Sequence, residues 1–249
     1  CIYDDANNSE RNHSNNSISK NSAIKIIDDF YKRTNGLDAY LVFYGGEPLL
    51  NLKLIEELVE YSNKISEKRI KFSLTTNAIL LNLNIFKILV KNKFKITVSI
   101  DGPDFIHDAN RKTKNGKGTF SIIMDNLQSL MDWNEDYFRE NVDFNCTITS
   151  YSDIPAINEF FLSSELFLEE NIRFSSEISE NIKINNEISA GIDLNKLQIA
   201  LKNADRVFAS SINNHSDKPN IIQESYFGDI VKKIKYRNLV EKAKKKKKI

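Results

Sequence analysis

The sequence predicts an α/β fold built on parallel strands, and three observations carry that expectation. Short apolar runs alternate with stretches of helical apolar spacing up to residue 176. Strand–helix alternation with short links implies parallel strands joined by right-handed crossovers. Three polar motifs, Tyr44-Gly45-Gly46-Glu47-Pro48, Thr75-Thr76-Asn77-Ala78 and Ser99-Ile100-Asp101-Gly102-Pro103, each close an apolar run. Parallel topology gathers such strand ends on one face, where α/β proteins bind ligands. The 249 residues, 41% of them hydrophobic, suffice for one domain with a sizeable core and a smaller appendage.

The elements follow in order. Residues 4–21 are polar, rich in Asn and Ser, and read as a loop. Ser22 is placed to cap a helix over 23–33, with Ile24, Ile27, Phe30 and Tyr31 on one face and Asn35-Gly36 at its end. Tyr40-Leu41-Val42-Phe43 is a continuous apolar run, the pattern of a buried parallel strand. Residues 52–68 repeat Leu, Ile and Val at helical spacing. Then come a strand at 71–75, a helix at 84–91, a strand at 95–100, a loop over 101–118 and a helix at 120–131. A strand at 142–148, a helix at 154–161 and a strand at 172–174 complete five strands. The rhythm fails near residue 176. Residues 177–193 are irregular, and helices are expected at 194–210 and 222–240. The chain thus divides into a core over 1–176 and an incomplete, mostly helical extension over 177–249.

Lys and Arg number 35 against 34 Asp and Glu, a net charge of +1, so no global field favours nucleic acid or acidic lipid. No apolar stretch reaches the roughly 18 residues of a membrane span. A cytoplasmic location, with neither nucleic acid nor membrane as partner, is expected. Two cysteines, Cys1 and Cys146, are too few for a disulfide framework. Cys146 lies in the alternating run 142–148 and reads as a buried structural thiol, while Cys1 has no second ligand in this chain. The run Lys244–Lys248 reads as a solvated end.

The strand ends carry the chemistry. Gly45 and Gly46 lack a Cβ, so a ligand can approach their backbone closely, and Glu47 suits an ammonium group. The same residues are compatible with a plain tight turn. Thr75, Thr76 and Asn77 offer hydroxyl and amide groups, or helix caps. Asp101-Gly102 is equally compatible with an ordinary turn. His107 reads as a hydrogen-bonded structural histidine, and Arg111 suits a bidentate carboxylate clamp. Residues 114–119, Lys-Asn-Gly-Lys-Gly-Thr, lack the spacing of a phosphate loop, which excludes a nucleotide triphosphatase.

These motifs, with His107-Asp108-Ala109-Asn110-Arg111 and Gly116-Lys117-Gly118-Thr119-Phe120 following in order, closely resemble radical S-adenosylmethionine enzymes of the SPASM group. The likeness spans residues 1–175 and is nearest to peptide-modifying maturases, with anaerobic sulfatase-maturing enzymes as relatives. It implies a partial (β/α)6 barrel, here lacking its first strand. In such proteins a Cys-x-x-x-Cys-x-x-Cys loop holds a [4Fe–4S] cluster. Cys1-Ile2-Tyr3 resembles the third cysteine and the aromatic that follows it. The resemblance implies Cys1 as a cluster ligand and Tyr3 as lining the cofactor or substrate pocket. Gly45, Gly46 and Glu47, with Tyr44 beside them, would hold the amino group of S-adenosylmethionine. Asn77, Ser99 and Thr76 would face its ribose or carboxylate. Asp101 and Arg111 would lie close to the reaction. The implied chemistry is hydrogen abstraction by a 5′-deoxyadenosyl radical, with a flavodoxin or ferredoxin as electron donor. The implied substrate is a ribosomal precursor peptide acquiring a modification such as a thioether cross-link. Formylglycine formation in a sulfatase and a cluster-less peptide-binding role are the alternatives. No cysteine-rich SPASM region follows, and an interior piece of a longer protein is expected.

Overall fold

The structure, a computed structural model, describes residues 17–35, 37–67, 69–148 and 152–176. The expectations for Cys1, Tyr3, the loop at 4–16, the irregular stretch 177–193, the helices at 194–210 and 222–240, and the lysine run lie outside these residues. The described elements are α1 (Lys20–Thr34), β1 (Ala39–Phe43), a 3-10 turn (Pro48–Asn51), α2 (Leu52–Ser66), β2 (Ile70–Thr76), α3 (Leu83–Lys91) and β3 (Lys95–Ser99). They continue with α4 (Asp104–Asn110), α5 (Phe120–Trp133), α6 (Glu135–Asn141), β4 (Val142–Ile148), α7 (Ile154–Ser163), a 3-10 turn (Glu169–Asn171) and β5 (Ile172–Ser176).

The strands form one parallel sheet in the order β1-β2-β3-β4-β5. Strand order follows chain order throughout. A doubly wound sheet reverses its order at a switch point, and a barrel does not. Burial patterns agree with the barrel side of that choice. In β2, Ile70, Phe72, Leu74 and Thr76 are buried while Lys71, Ser73 and Thr75 are not; in β3, Ile96 and Val98 are buried while Lys95, Thr97 and Ser99 are not. Only one face of these strands is sealed, and the other presents a polar column with Thr75 opposite Thr97.

By its contacts the chain divides into two compact units. Among the described residues, one comprises those up to Ile100 with Asp104–Phe144, and the other Asp101–Pro103 with those from Asn145 onward. In the first, β1 pairs with β2 from Ala39↔Ile70 to Phe43↔Leu74, and β2 with β3 from Ser73↔Lys95 to Thr76↔Val98. Ala23, Ile27 and Leu58 bring α1 and α2 together over Leu41 and Phe43. Phe94 stacks on Phe72 at 5.5 Å, and Phe86 meets Trp133 and Tyr137 edge-on. The Tyr137 hydroxyl donates to the Phe94 carbonyl at 2.6 Å, and burial raises its pKa to about 12. In the second unit, Phe161 packs edge-on against Phe167 and Phe174.

Several local expectations need correction. Ser19, not Ser22, caps α1: its Oγ accepts from Ser22 N at 3.1 Å. Both serines suit the cap, and the pair Lys20–Glu57 at 3.0 Å favours the earlier start. β1 is not a buried strand. Tyr40 and Val42 are 51% and 56% exposed: among the described residues β1 stands at one end of the strand order and its Leu41–Phe43 side meets helices. The expected loop over 101–118 contains α4. Helix α6 was not foreseen, although Asn134 caps it and Glu135 and Asp136 complement its N-terminal dipole. Cys146 is a buried thiol outside any disulfide among the described residues, as its alternating run implied.

Candidate functional site

The first two motifs meet through one carboxylate. Glu47 follows β1 and caps the 3-10 turn, its Oε1 accepting from Leu49 N at 3.1 Å. The same Oε1 accepts from the Thr76 hydroxyl at 2.8 Å, and Oε2 accepts from Asn77 N at 2.8 Å. Glu47 thereby ties the end of β1 to the end of β2. Each carboxylate oxygen takes two donors, so Oε2 keeps one acceptor direction. Among the described residues no cation pairs with Glu47. Three neutral donors fix a negative charge that no side chain among the described residues neutralises.

The Thr76 hydroxyl is buried, gives its proton to Glu47 and accepts from Ala78 N at 3.0 Å. It braces the carboxylate and is not turned toward a ligand. Asn77 Oδ1 accepts from Ile79 N at 3.1 Å, closing an Asx turn and leaving its amide donors without a partner among the described residues. Ser99 lies one residue past the Thr76↔Val98 pair, on the half-buried face of β3. Tyr44 is 69% exposed.

The glycines divide into two kinds. A Cβ at Gly102, which holds φ +119°, would fall 2.8 Å from Ile157 Cγ1, and one at Gly118 would run into the Asp108 carboxylate. At Gly45 and Gly46 a Cβ would meet nothing within 4 Å. Packing within the described residues explains glycine at 102 and 118, and a φ of +159° accounts for glycine at 45, but neither accounts for Gly46. That open backbone, beside an uncompensated carboxylate, fits the aminoacyl end of S-adenosylmethionine.

The remaining predicted residues are tied into scaffolds of their own. Asp101 is fully buried, and its Oδ1 accepts from Thr147 N at 3.0 Å. Arg111 is half-buried, its N–H donating to the His107 carbonyl and its carbonyl accepting from the Thr119 hydroxyl. With that proton given away, Thr119 Oγ1 accepts from His107 Nε2 at 3.0 Å, which puts the imidazole proton on Nε2. Asp108 Oδ1 accepts from Thr119 N and Phe120 N at 2.7 and 2.9 Å, a remote cap for α5. His107 is thus structural, as expected, and the 107–120 motifs form a clasp. Residues 112–118 close on themselves through Thr113 N to the Lys117 carbonyl at 2.9 Å and Lys117 N to Thr113 Oγ1 at 3.1 Å. Those amides are not open to a phosphate. No group of three metal-ligating side chains occurs among the described residues, from which Cys1 is absent.

Sequence reasoning missed Asn126. From α5 its side-chain amide donates to the carbonyls of Ala78 and Ile79 at 3.0 and 3.3 Å, across 48 and 47 residues. The only local signal was a polar residue between the buried Ile123 and Leu127, a pattern shared by many exposed helix positions.

A model of the radical SAM superfamily matches residues 1–133. An uncharacterized protein of Methanocaldococcus jannaschii is 32% identical over 162 residues, covering 64% of this chain and 52% of that protein. A cysteine-type anaerobic sulfatase-maturating enzyme of Clostridium perfringens is 38% identical over 105 residues, 40% of this chain and 28% of the enzyme. A solved structure of native anSMEcpe with bound AdoMet superposes with a TM-score of 0.57 at 27% identity, covering 66% of this chain and 44% of that one. The chain spans about half, or less, of the length of the relatives it matches.

Proposed function

The chain belongs to the radical SAM superfamily, and on that premise we propose that it is the barrel core of an enzyme modifying a ribosomally made peptide, by a bond such as a thioether from a Cys sulfur to carbon. Members of the family use a [4Fe–4S] cluster and S-adenosylmethionine. When bound, these supply a 5′-deoxyadenosyl radical that removes hydrogen from the substrate, the protein providing orientation and exclusion of water. The observation that carries the reading is the open Gly45-Gly46 backbone beside a Glu47 carboxylate braced by three donors and, among the described residues, without a cation.

In this reading Glu47 Oε2 and the backbone of Gly45 and Gly46 hold the ammonium. Asn77, through its side-chain amide, and Ser99, through its hydroxyl, face the ribose or carboxylate, and Tyr44 flanks them. Thr76 acts behind this layer. Cys1 serves as a cluster ligand and Tyr3 lines the pocket. Arg111 acts through the α5 clasp, and Asp101 acts through its hold on Thr147 N. A flavodoxin or ferredoxin delivers the electron. The residues 1–176 form the catalytic core, and 177–249 an extension of it.

A second reading, formylglycine formation in a sulfatase, draws support from the clostridial relative and from a serine-type anaerobic sulfatase-maturating enzyme of Bacteroides thetaiotaomicron, 28% identical over 140 residues, 54% of this chain and 34% of that enzyme. The test is anaerobic incubation of the full-length, cluster-loaded protein with reductant, S-adenosylmethionine and either a Cys-rich precursor peptide or a sulfatase-derived peptide. Loss of two hydrogens with sulfur retained supports the thioether. Loss of sulfur from Cys supports formylglycine. Failure to release 5′-deoxyadenosine with any peptide overturns both and favours a binding role.

A further inference from the structure

Behind the Glu47 carboxylate lies a relay that ends on α5. Asn126 donates to the carbonyls of Ala78 and Ile79. Ala78 is fully buried and held at φ +58°, a left-handed conformation that a residue with a Cβ adopts at a cost. At the start of that turn Ala78 N donates to Thr76 Oγ1 at 3.0 Å, and the Thr76 hydroxyl donates to Glu47 Oε1 at 2.8 Å. The same turn presents Asn77 N to Glu47 Oε2 at 2.8 Å. Two of the three donors on the carboxylate thus come from Thr76 and Asn77, directly before the turn whose carbonyls Asn126 grips from outside the strand.

We propose that Asn126 is a positioning residue for cofactor binding, acting through the left-handed Ala78 and Thr76 to aim the Glu47 carboxylate. This rests on the reading of Glu47 as the ammonium partner. Because Asn126 holds a conformation that glycine adopts freely, Ala78→Gly should make it dispensable.

The test is anaerobic calorimetric titration of the full-length, cluster-loaded protein with S-adenosylmethionine, well below the melting temperature. It is paired with hydrogen exchange of the Asn77 amide without cofactor. Members of one hydrogen-bond network couple strongly enough that Asn126→Ala should weaken binding roughly 5- to 50-fold and speed Asn77 exchange. The double variant Asn126→Ala/Ala78→Gly should recover most of both. Asn126→Asp, which sets a carboxylate against two carbonyls, should bind at least as weakly as Asn126→Ala. If Glu47→Ala weakens binding while Asn126→Ala leaves affinity and Asn77 exchange at parent values, the positioning role is overturned and the Glu47 assignment stands. If Glu47→Ala also binds like the parent, the assignment itself falls. Loss of affinity in Asn126→Ala that Ala78→Gly does not restore overturns the relay.

Discussion

Gly46→Ala separates a ligand-facing glycine from a packing glycine. Gly46 has negative φ, is exposed, and a Cβ there would meet no heavy atom within 4 Å. The folded chain should accept the methyl. Such surface changes alter stability by about 0.5 kcal/mol or less, and loss of chain entropy in the unfolded state adds about 0.4–1 kcal/mol in favour of alanine. The cofactor should not accept it. A methyl forced into a filled contact costs about 1–3 kcal/mol, roughly a 5- to 140-fold loss of affinity at 1.4 kcal/mol per factor of ten. Gly46→Val should abolish binding. Gly102→Ala is the control. With φ +119° and Ile157 Cγ1 at 2.8 Å, it should lose about 1–3 kcal/mol of stability. Urea unfolding followed by circular dichroism reads stability, and anaerobic calorimetry of the full-length protein reads affinity. Parent-like affinity in a folded Gly46→Ala protein, or a stability loss matching that of Gly102→Ala, would refute the reasoning.

Asp108→Ala should cost about 2–4 kcal/mol in urea unfolding by stripping two amides at the start of α5, while Asp108→Asn, which keeps the accepting oxygen, should stay within about 1 kcal/mol of the parent. Gly118→Ala displaces the same carboxylate, so combined with Asp108→Ala it should show clear non-additivity in a double-mutant cycle. Tyr137, raised from 10.0 to about 12, is protonated in the folded protein where the unfolded chain has already lost its proton. Its contribution is complete below pH 10 and should decline as pH rises from 10 to 12, by about 1 kcal/mol once solvent screening of the half-exposed ring is allowed for; a Tyr137→Phe protein should lack that slope.

The sequence alone determined the alternation of five strands with helices, their parallel sense and the placing of three polar motifs at strand ends. Periodicity and turn chemistry are local, and each strand here is short enough for its own pattern to set it. The run 71–75 read only as a strand, and the one open face of β2 emerged from the structure; likewise the apolar run Tyr40–Phe43 hid that, among the described residues, β1 stands at one end of the strand order with Tyr40 and Val42 exposed. Neighbour count is a property of the assembled sheet. The motifs named the residues of the site but not their division of labour. Glu47 meets Thr76 and Asn77 only because the β1–β2 register sets residues 29 and 30 positions apart side by side. That closure turns Thr76 inward and commits the carboxylate to three donors. Gly46 and Gly118 look alike in sequence and differ only in what surrounds them: open space for one, the Asp108 carboxylate for the other. Asn126 carries no motif at all. Its grip on Ala78 arises where a helix crosses a strand end, a meeting that tertiary packing decides and local spacing does not encode.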